Sequence, residues 1–278
     1  MSSSTSSDEL PLREVAPRKL AAETRRDFLL FGAGAAAATA GLLFALPQRV
    51  RQRFIGRASW LDTLDARRQK AMAGALTFDD DVAEALYSPT RHVRSYERRD
   101  VTPLRNNYNG RTPSPEYLAT WKLTLSGLAS GADAVLSIDD LRRALPIHEQ
   151  VTRLCCVEGW SAIAWWGGLR FADLLRAYPP ADGMRWAALE SSVNLDGRGH
   201  PDPYYVSIDL DTARHPQALL ATHHNGAPLR PDHGAPLRLV VPMKLGLKNI
   251  KAITRIAYVR DEPRDYWAER GYSRYDGL

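Results

Sequence analysis

The sequence contains only two cysteines among 278 residues, and these are the neighbours Cys155 and Cys156. Adjacent cysteines cannot link distant parts of a chain, so a disulfide scaffold is excluded as the main source of stability. They also match none of the zinc-ligand patterns, in which paired cysteines are separated by two or more residues. A hydrophobic core must therefore hold the chain together. The 44% hydrophobic residues, with seven tryptophans, are enough to form one.

The sequence also lacks internal repeats and any recurring pattern of basic and aromatic residues. Its formal net charge is +5, but the basic residues concentrate in two places. This distribution argues against nucleic-acid binding, which usually requires a continuous basic face. The length allows one large domain or two small ones.

The N-terminus is typical of a twin-arginine export signal. Thr24-Arg25-Arg26-Asp27-Phe28-Leu29 leads into an apolar run over residues 28–46. An ordinary signal anchor with chance arginines is the alternative interpretation. At a rise of about 1.5 Å per residue, the run can span a membrane, and no small-x-small cleavage site ends it. We therefore expect residues 1–47 to be a signal or membrane anchor that engages the twin-arginine translocase and places the protein in the periplasm or another extracytoplasmic space.

Residues 48–100 are predicted to form a basic linker and a helical N-terminal segment. Seven basic residues follow the apolar run, at positions 49, 51, 53, 57, 67, 68 and 70. Contact with lipid headgroups and simple solvation are both consistent with this stretch. Because the twin-arginine route carries folded proteins, it predicts a cofactor inserted before export.

From about residue 101 onwards, the pattern predicts an α+β domain over 101–278. Alternating or wholly apolar runs predict strands at 121–127, 237–242 and 253–259. Helices are predicted at 137–144, where Ser137 is the N-cap, and at 171–177, before two prolines.

The segment 153–161, Arg-Leu-Cys-Cys-Val-Glu-Gly-Trp-Ser, carries the clearest chemical signal. If it is a strand, Cys155 and Cys156 face opposite sides, so only one can point into a given site. Burial statistics alone favour two core cysteines. Alternation cannot choose between the two thiols.

The stretch from Cys156 resembles the Cys-Val-Glu-x-Trp-Ser motif of the sulfite-oxidase-like molybdopterin family, in particular its bacterial methionine-sulfoxide reductase branch. In that motif the cysteine before Val-Glu ligates molybdenum, which implies Cys156 as the metal ligand. A thiolate is a soft, charge-donating ligand that suits this metal, and we expect its pKa to be depressed once metal is bound. The resemblance covers about residues 100–278. It implies the family fold of mixed β-sheets with short helices.

A second stretch, residues 225–251, resembles the part of the family that binds the pterin and its phosphate. Arginine can form paired hydrogen bonds with phosphate oxygens, and glycine-containing loops allow close approach of the backbone. The resemblance implies cofactor contacts from Arg238, Lys248, Asn249, Ile250 and Lys251. A basic surface loop between two strands is the alternative interpretation.

Further cofactor contacts are implied at five scattered positions. Asn106 is the best match in the segment 104–109, because an amide can donate to and accept from pterin atoms. Tyr108 and Asn109 depart from the Tyr-Glu pair of the reductase branch, with a spacing one residue shorter. Ser191 aligns with a pocket threonine and His233 with a pocket asparagine. A purely structural role is the alternative for His233.

The resemblance implies an oxidoreductase that binds Mo-molybdopterin and transfers oxygen atoms. The expected reaction is reduction of methionine sulfoxide, or of another small-molecule or protein-bound S- or N-oxide. Cys156 and Glu158 are the expected catalytic residues, although Glu158 has an alternative role as a buried partner of Arg153. We expect the protein to lack the immunoglobulin-like domain of sulfite oxidases. We therefore expect a monomeric catalytic subunit that receives electrons from a haem-containing membrane partner.

Two other functions stay open. The same cofactor could oxidise sulfite, a small dianion that requires arginines converging on the metal, with Arg105 and Arg153 as candidates. A non-catalytic, membrane-anchored binding protein of the same fold is the second alternative.

Overall fold

The computed structural model describes residues 91–106, 113–196, 200 and 202–275, together with the single positions Val82 and Ser88. The predicted export signal, the basic stretch at 49–70, Tyr108 and Asn109 lie outside the described residues. Among the helices of the described part, none is long and apolar enough to span a membrane.

The described residues include four short α-helices and ten strands. The helices are α1 (Pro115–Thr120), α2 (Ile138–Ala144), α3 (Phe171–Ala177) and α4 (Leu210–Arg214). The strands are β1 (Leu123–Ser126), β2 (Ala134–Leu136), β3 (Ile147–Cys155), β4 (Ser161–Arg170), β5 (Trp186–Asn194), β6 (Pro203–Asp209), β7 (Leu219–His224), β8 (Ala227–Pro228), β9 (Arg238–Val240) and β10 (Ile253–Val259). Single 3-10 turns occur at Arg98–Asp100, Pro231–His233, Gly246–Lys248 and Ala268–Arg270.

The first sheet has the strand order β2-β1-β10-β5-β6. Strands β1 and β10 run parallel, whereas the other neighbours are antiparallel. Leu123 and Leu125 alternate with polar or less buried neighbours in β1 and are fully buried, which is the period expected of a strand with one face on the core.

The second sheet is antiparallel and has the order β3-β4-β7, with β8 and β9 both pairing with the far edge of β7. Strands β4 and β7 approach closely because Gly168 has no side chain: a Cβ there would lie 2.2 Å from the Leu220 carbonyl oxygen. The main core contains side chains from both sheets, such as Leu189 and Ile256 from the first and Leu220 and Leu239 from the second. The two sheets and α3 therefore share one core.

The strands and helices predicted within residues 101–278 are confirmed. The strand predicted at 121–127 is β1, the one at 237–242 is β9, and β10 has the predicted bounds. Helix α2 begins after Ser137, whose hydroxyl accepts from the Asp140 N–H while the Asp140 carboxylate accepts from the Ser137 N–H. The mixed sheets and short helices also confirm the predicted α+β fold class.

Candidate functional site

Cys156 lies in the turn between β3 and β4, one residue beyond the end of β3. The strand-like environment expected of both cysteines is therefore wrong for Cys156. Its N–H donates to the Trp160 carbonyl oxygen (2.9 Å), and its own carbonyl accepts from the Gly159 N–H (3.1 Å). Gly159 has a φ of 82°, a left-handed conformation that glycine adopts without strain, and this closes the turn.

The backbone N–H groups of Val157 and Glu158 lie beside the Cys156 sulfur. Burial raises the pKa of the Cys156 thiol, and the charge of Glu158 raises it further. Hydrogen bonds from the backbone of Glu158 and Val157 act in the opposite direction, as does the charge of Arg105. Burial outweighs these effects, so the pKa of the thiol is raised overall, whereas the two amide donors would favour the thiolate that a metal ion requires. The depressed pKa expected in the metal-bound form stays a prediction.

Glu158 is exposed, so its alternative role as a buried partner of Arg153 is wrong. Its carboxylate accepts a hydrogen bond from the Trp160 indole N–H at 2.9 Å. Arg153 is buried on the opposite face of the second sheet, where its guanidinium lies 5.6 Å from the Tyr96 ring centroid. The two arginines suggested for a small dianion therefore do not converge on Cys156, and only the charge of Arg105 reaches the thiol.

The turn 246–249 packs directly against the two cysteines. A Cβ on Gly246 would lie 3.3 Å from the Cys155 carbonyl oxygen and 3.5 Å from the Cys156 Cα. Asn249 closes this turn, because its side chain accepts from the Val241 N–H (2.9 Å) and donates to the Leu245 carbonyl oxygen (3.0 Å). The predicted cofactor segment and the predicted metal ligand are therefore neighbours.

Arg238, at the start of β9, is 3% exposed and lies over the indole of Trp166, with 4.7 Å between its guanidinium carbon and the ring centroid. Its two terminal nitrogens donate to the carbonyl oxygens of His233 (3.0 Å) and Asn249 (3.2 Å). Burial lowers its pKa to about 10, and it makes no salt bridge with a carboxylate among the described residues. The guanidinium thus holds two backbone segments together without a carboxylate partner among the residues that the structure describes.

Lys251 contacts two other predicted cofactor residues, Asn106 and Ser191. Its ammonium donates to the Asn106 amide oxygen (2.7 Å) and to the Asp232 carbonyl oxygen (3.0 Å), and its own carbonyl accepts from the Ser191 hydroxyl (2.5 Å). Burial, together with the charge of Arg238, lowers the pKa of Lys251 to about 7. Arg238 is buried and Lys251 half-buried, and two neighbouring cations of this kind create a position that favours an anion.

His233 lies beside His224, a residue that the sequence did not assign to the site. Their ring centroids are 5.0 Å apart, and His224 in turn lies 4.8 Å from the Trp166 ring. Burial lowers the pKa of both imidazoles, to about 4 for His224. The adjacent histidines His223 and His224 do not have the spacing of metal ligands, so the sequence offered no reason to place His224 in the site. The position of His224 opposite Trp166 in the sheet register is what places it here.

Four polar atoms in this cluster are buried and have no hydrogen-bond partner in the described part of the chain. They are the Arg238 Nε, the His233 Nδ1, the His224 Nε2 and the Trp166 Nε1. Buried polar atoms without a partner are costly, and a bound water or ligand is one way to satisfy them. Together with the neighbouring cations Arg238 and Lys251, they fit a polar, anionic cofactor such as a pterin with a phosphate.

Two predicted cofactor residues have side chains that point away from this cluster. Lys248 is 1% exposed and its ammonium lies 2.6 Å from the Asp265 carboxylate. Ile250 is fully buried in the main core, and its carbonyl accepts from the Leu239 N–H. Their contact with the cofactor stays a prediction, as it does for Tyr108 and Asn109.

Within the described ranges, no group of three or more His, Cys, Asp or Glu side chains could hold a metal ion. The site instead combines one thiol, flanked by amide donors, with a buried cationic and polar cluster. Such a combination fits an enzyme whose metal is carried by an organic, anionic cofactor.

Comparison with known proteins identifies that class. The model of the family described as oxidoreductase molybdopterin binding domain matches residues 109–267, and the chain belongs to this family. It is a molybdopterin-dependent oxidoreductase, and its cofactor is Mo-molybdopterin.

Relatives within the family carry related names. The chain is 33% identical to the putative protein-methionine-sulfoxide reductase subunit YedZ1 of Azospira oryzae, over 77% of this chain and 79% of that protein. It is 34% identical to the protein-methionine-sulfoxide reductase catalytic subunit MsrP of Xanthomonas campestris, over 63% of this chain and 59% of the relative. Among solved structures, the sulfane dehydrogenase SoxCD of Paracoccus pantotrophus matches with a TM-score of 0.45 and 20% identity, over 51% of this chain and 38% of that one.

Proposed function

We propose that this protein reduces sulfoxides to thioethers by oxygen-atom transfer, with methionine sulfoxide as the preferred substrate class. The observation that carries the proposal is the Cys156 thiol, held by backbone amides in a turn that packs against the cofactor segment. Two relatives named as methionine-sulfoxide reductase subunits support the substrate class. Reduction of one sulfoxide consumes two electrons and two protons and yields a thioether and water.

The protein's own contribution is to bind and position. Cys156 would ligate the metal, and Arg238 and Lys251 would neutralise the anionic part of the cofactor. His233 and Asn106 would offer hydrogen bonds to its polar ring, since both lie beside those cations. When bound, the molybdenum cofactor supplies the two-electron redox chemistry of the oxygen transfer.

The environment of the Cys156 turn favours a thioether-forming substrate over sulfite. Trp160 packs with Leu104 and Leu118 against a small hydrophobic cluster, and Val157 is 36% exposed at the same turn. An apolar margin suits the methyl group and side chain of methionine sulfoxide. A small dianion would need several converging cations, and Arg153 lies on the other face of the sheet.

We further propose export by the twin-arginine route and electron supply by a haem-containing membrane partner. The paired arginines Arg25 and Arg26 before an apolar run support export. The word subunit in the names of the relatives supports a partner. Cell fractionation tests the first point: replacing both arginines with lysine should leave the protein in the cytoplasm, whereas normal export of that variant would contradict it.

The reaction is tested with full-length protein purified from a host that makes the molybdenum cofactor. Methionine sulfoxide should oxidise a reduced viologen dye in a protein-dependent manner, and sulfite should not reduce ferricyanide at a comparable rate. Sulfite oxidation without sulfoxide reduction would favour the alternative direction. Purified protein without molybdenum would instead favour a non-catalytic binding protein.

A further inference from the structure

The most deeply buried charges in the described part belong to the ion pair between Lys248 and Asp265. This pair lies outside the cofactor cluster, which consists of Arg238, Lys251, His224, His233 and Trp166. Their side chains are 1% and 0% exposed, and the ammonium lies 2.6 Å from the carboxylate. The same carboxylate oxygen accepts from the N–H (2.8 Å) and the hydroxyl (3.2 Å) of Ser207 in β6. The other oxygen accepts from the Ala268 N–H at 3.2 Å. Asp265 thus links Lys248 to β6 and to the C-terminal segment, which is the chain that follows β10 (residues 260–275).

Lys248 belongs to the short turn that separates the metal ligand from the cofactor cluster. Two residues before it, Gly246 packs on the Cys156 turn. One residue after it, Asn249 presents its carbonyl oxygen to Arg238. The Tyr204 hydroxyl, also from β6, donates to the Leu247 carbonyl oxygen. The outer side of the turn is therefore fixed by β6 and the C-terminal segment, while its inner side contacts the site.

A buried ion pair is a poor source of net stability, since removing two charges from water offsets most of their attraction. Its hydrogen bonds are nevertheless directional, and here they fix one lysine at one position in a short turn. An apolar pair of similar volume could fill the same space without fixing the turn. The charges are thus better suited to positioning than to stabilising.

We propose that Asp265 is a positioning residue that acts through Lys248 to set the turn 246–249 against Cys156 and Arg238. The inference rests on the cofactor site proposed above. It predicts that the C-terminal segment controls how firmly the cofactor is held and how the metal ligand is oriented, without touching either.

Three variants separate positioning from simple stabilisation. Asp265→Asn removes one charge, and the double variant Lys248→Met with Asp265→Leu replaces both with apolar side chains. Glu269→Gln is the control, because Glu269 belongs to the same segment but pairs with Arg264. Thermal unfolding shows whether each variant folds: Asp265→Asn leaves the Lys248 charge unpaired, whereas in the double variant the N–H groups of Ser207 and Ala268 lose their acceptor.

The decisive readout is amide hydrogen exchange in the cofactor-free protein, followed by the molybdenum EPR signal of the loaded protein. In the double variant the amides of Lys248 and Asn249 should exchange about tenfold faster or more, and the EPR line shape should change. Glu269→Gln should match the wild type in both. A stable double variant with wild-type exchange and wild-type EPR would overturn the inference. Wild-type protein without molybdenum would instead contradict the proposed function, and the exchange comparison would still decide the role of Asp265.

Discussion

The Lys251 ammonium lies 2.7 Å from the amide oxygen of Asn106, a residue 145 positions earlier in the chain. This hydrogen bond and the one to Asp232 both end on neutral oxygens, and Arg238 lies close enough to lower the lysine pKa. The contact joins two segments that carry separate sequence matches to the family. It also places a half-buried cation beside Arg238, where an anionic ligand would be stabilised.

The first prediction concerns pH. The pKa of Lys251 is lowered to about 7 in the fold, from 10.5, so between these values the unfolded chain binds more protons than the folded one. The free energy of unfolding of the cofactor-free protein should therefore rise with pH across this interval, by at most about 1.4 kcal/mol per pH unit from this residue. Denaturant titrations from pH 7 to 10 measure the slope.

Lys251→Met should lose this rise, and the loaded protein should show less of it because an anion keeps the lysine protonated. Lys122→Met, which removes an exposed lysine, is the matched control. An equal loss of slope in both variants would argue against the assignment.

The second prediction concerns Arg238. Arg238→Lys keeps a cation but cannot bridge the carbonyl oxygens of His233 and Asn249 at once, so one buried carbonyl loses its donor. We expect a loss of about 1–3 kcal/mol in the free energy of unfolding and a clear drop in bound molybdopterin. Arg214→Lys, at an exposed ion pair with Asp211, should change neither measurably. Normal cofactor content in Arg238→Lys would show that the paired hydrogen bonds are dispensable.

The third prediction concerns Gly234, which has a φ of 101° next to His233. A Cβ there would lie 2.8 Å from the Lys251 Cβ, so Gly234→Ala should displace Lys251 as well as strain the backbone. Gly271→Ala is the control, because Gly271 has a φ of 88° but open space around it. Both variants should lose about 1–2 kcal/mol through strain, measured by denaturant unfolding. Only Gly234→Ala should also lose cofactor, and equal cofactor content in the two variants would contradict this.

The sequence predicted local structure well where a single period or cap determines it. Ser137 marks the start of α2, and the alternation around Leu123 and Leu125 marks β1. It could not predict which way the charged residues of one motif point. Lys248 and Lys251 are three residues apart in the same basic stretch, yet one pairs with Asp265 and the other with Asn106.

Strand β3 also shows how far the alternation of side chains predicts the site. Alternation correctly separates Arg153 from Leu154, which packs in the cluster with Trp166. The strand ends at Cys155, however, so a rule for strands does not describe Cys156. His224 was missed because only the pairing of β4 with β7 brings it to Trp166, and pairing between distant strands leaves no local pattern.

The most direct test of the account is the molybdenum content of Cys156→Ser beside Cys155→Ser, both purified from a host that makes the cofactor. Serine keeps the size of the side chain and removes the soft sulfur ligand. Cys156→Ser should lose sulfoxide-dependent dye oxidation and the metal-sulfur charge-transfer absorption, and it should contain less molybdenum. Cys155→Ser should keep the activity, the absorption and the molybdenum content of the wild type. Loss in Cys155→Ser with retention in Cys156→Ser would contradict the assignment of the metal ligand.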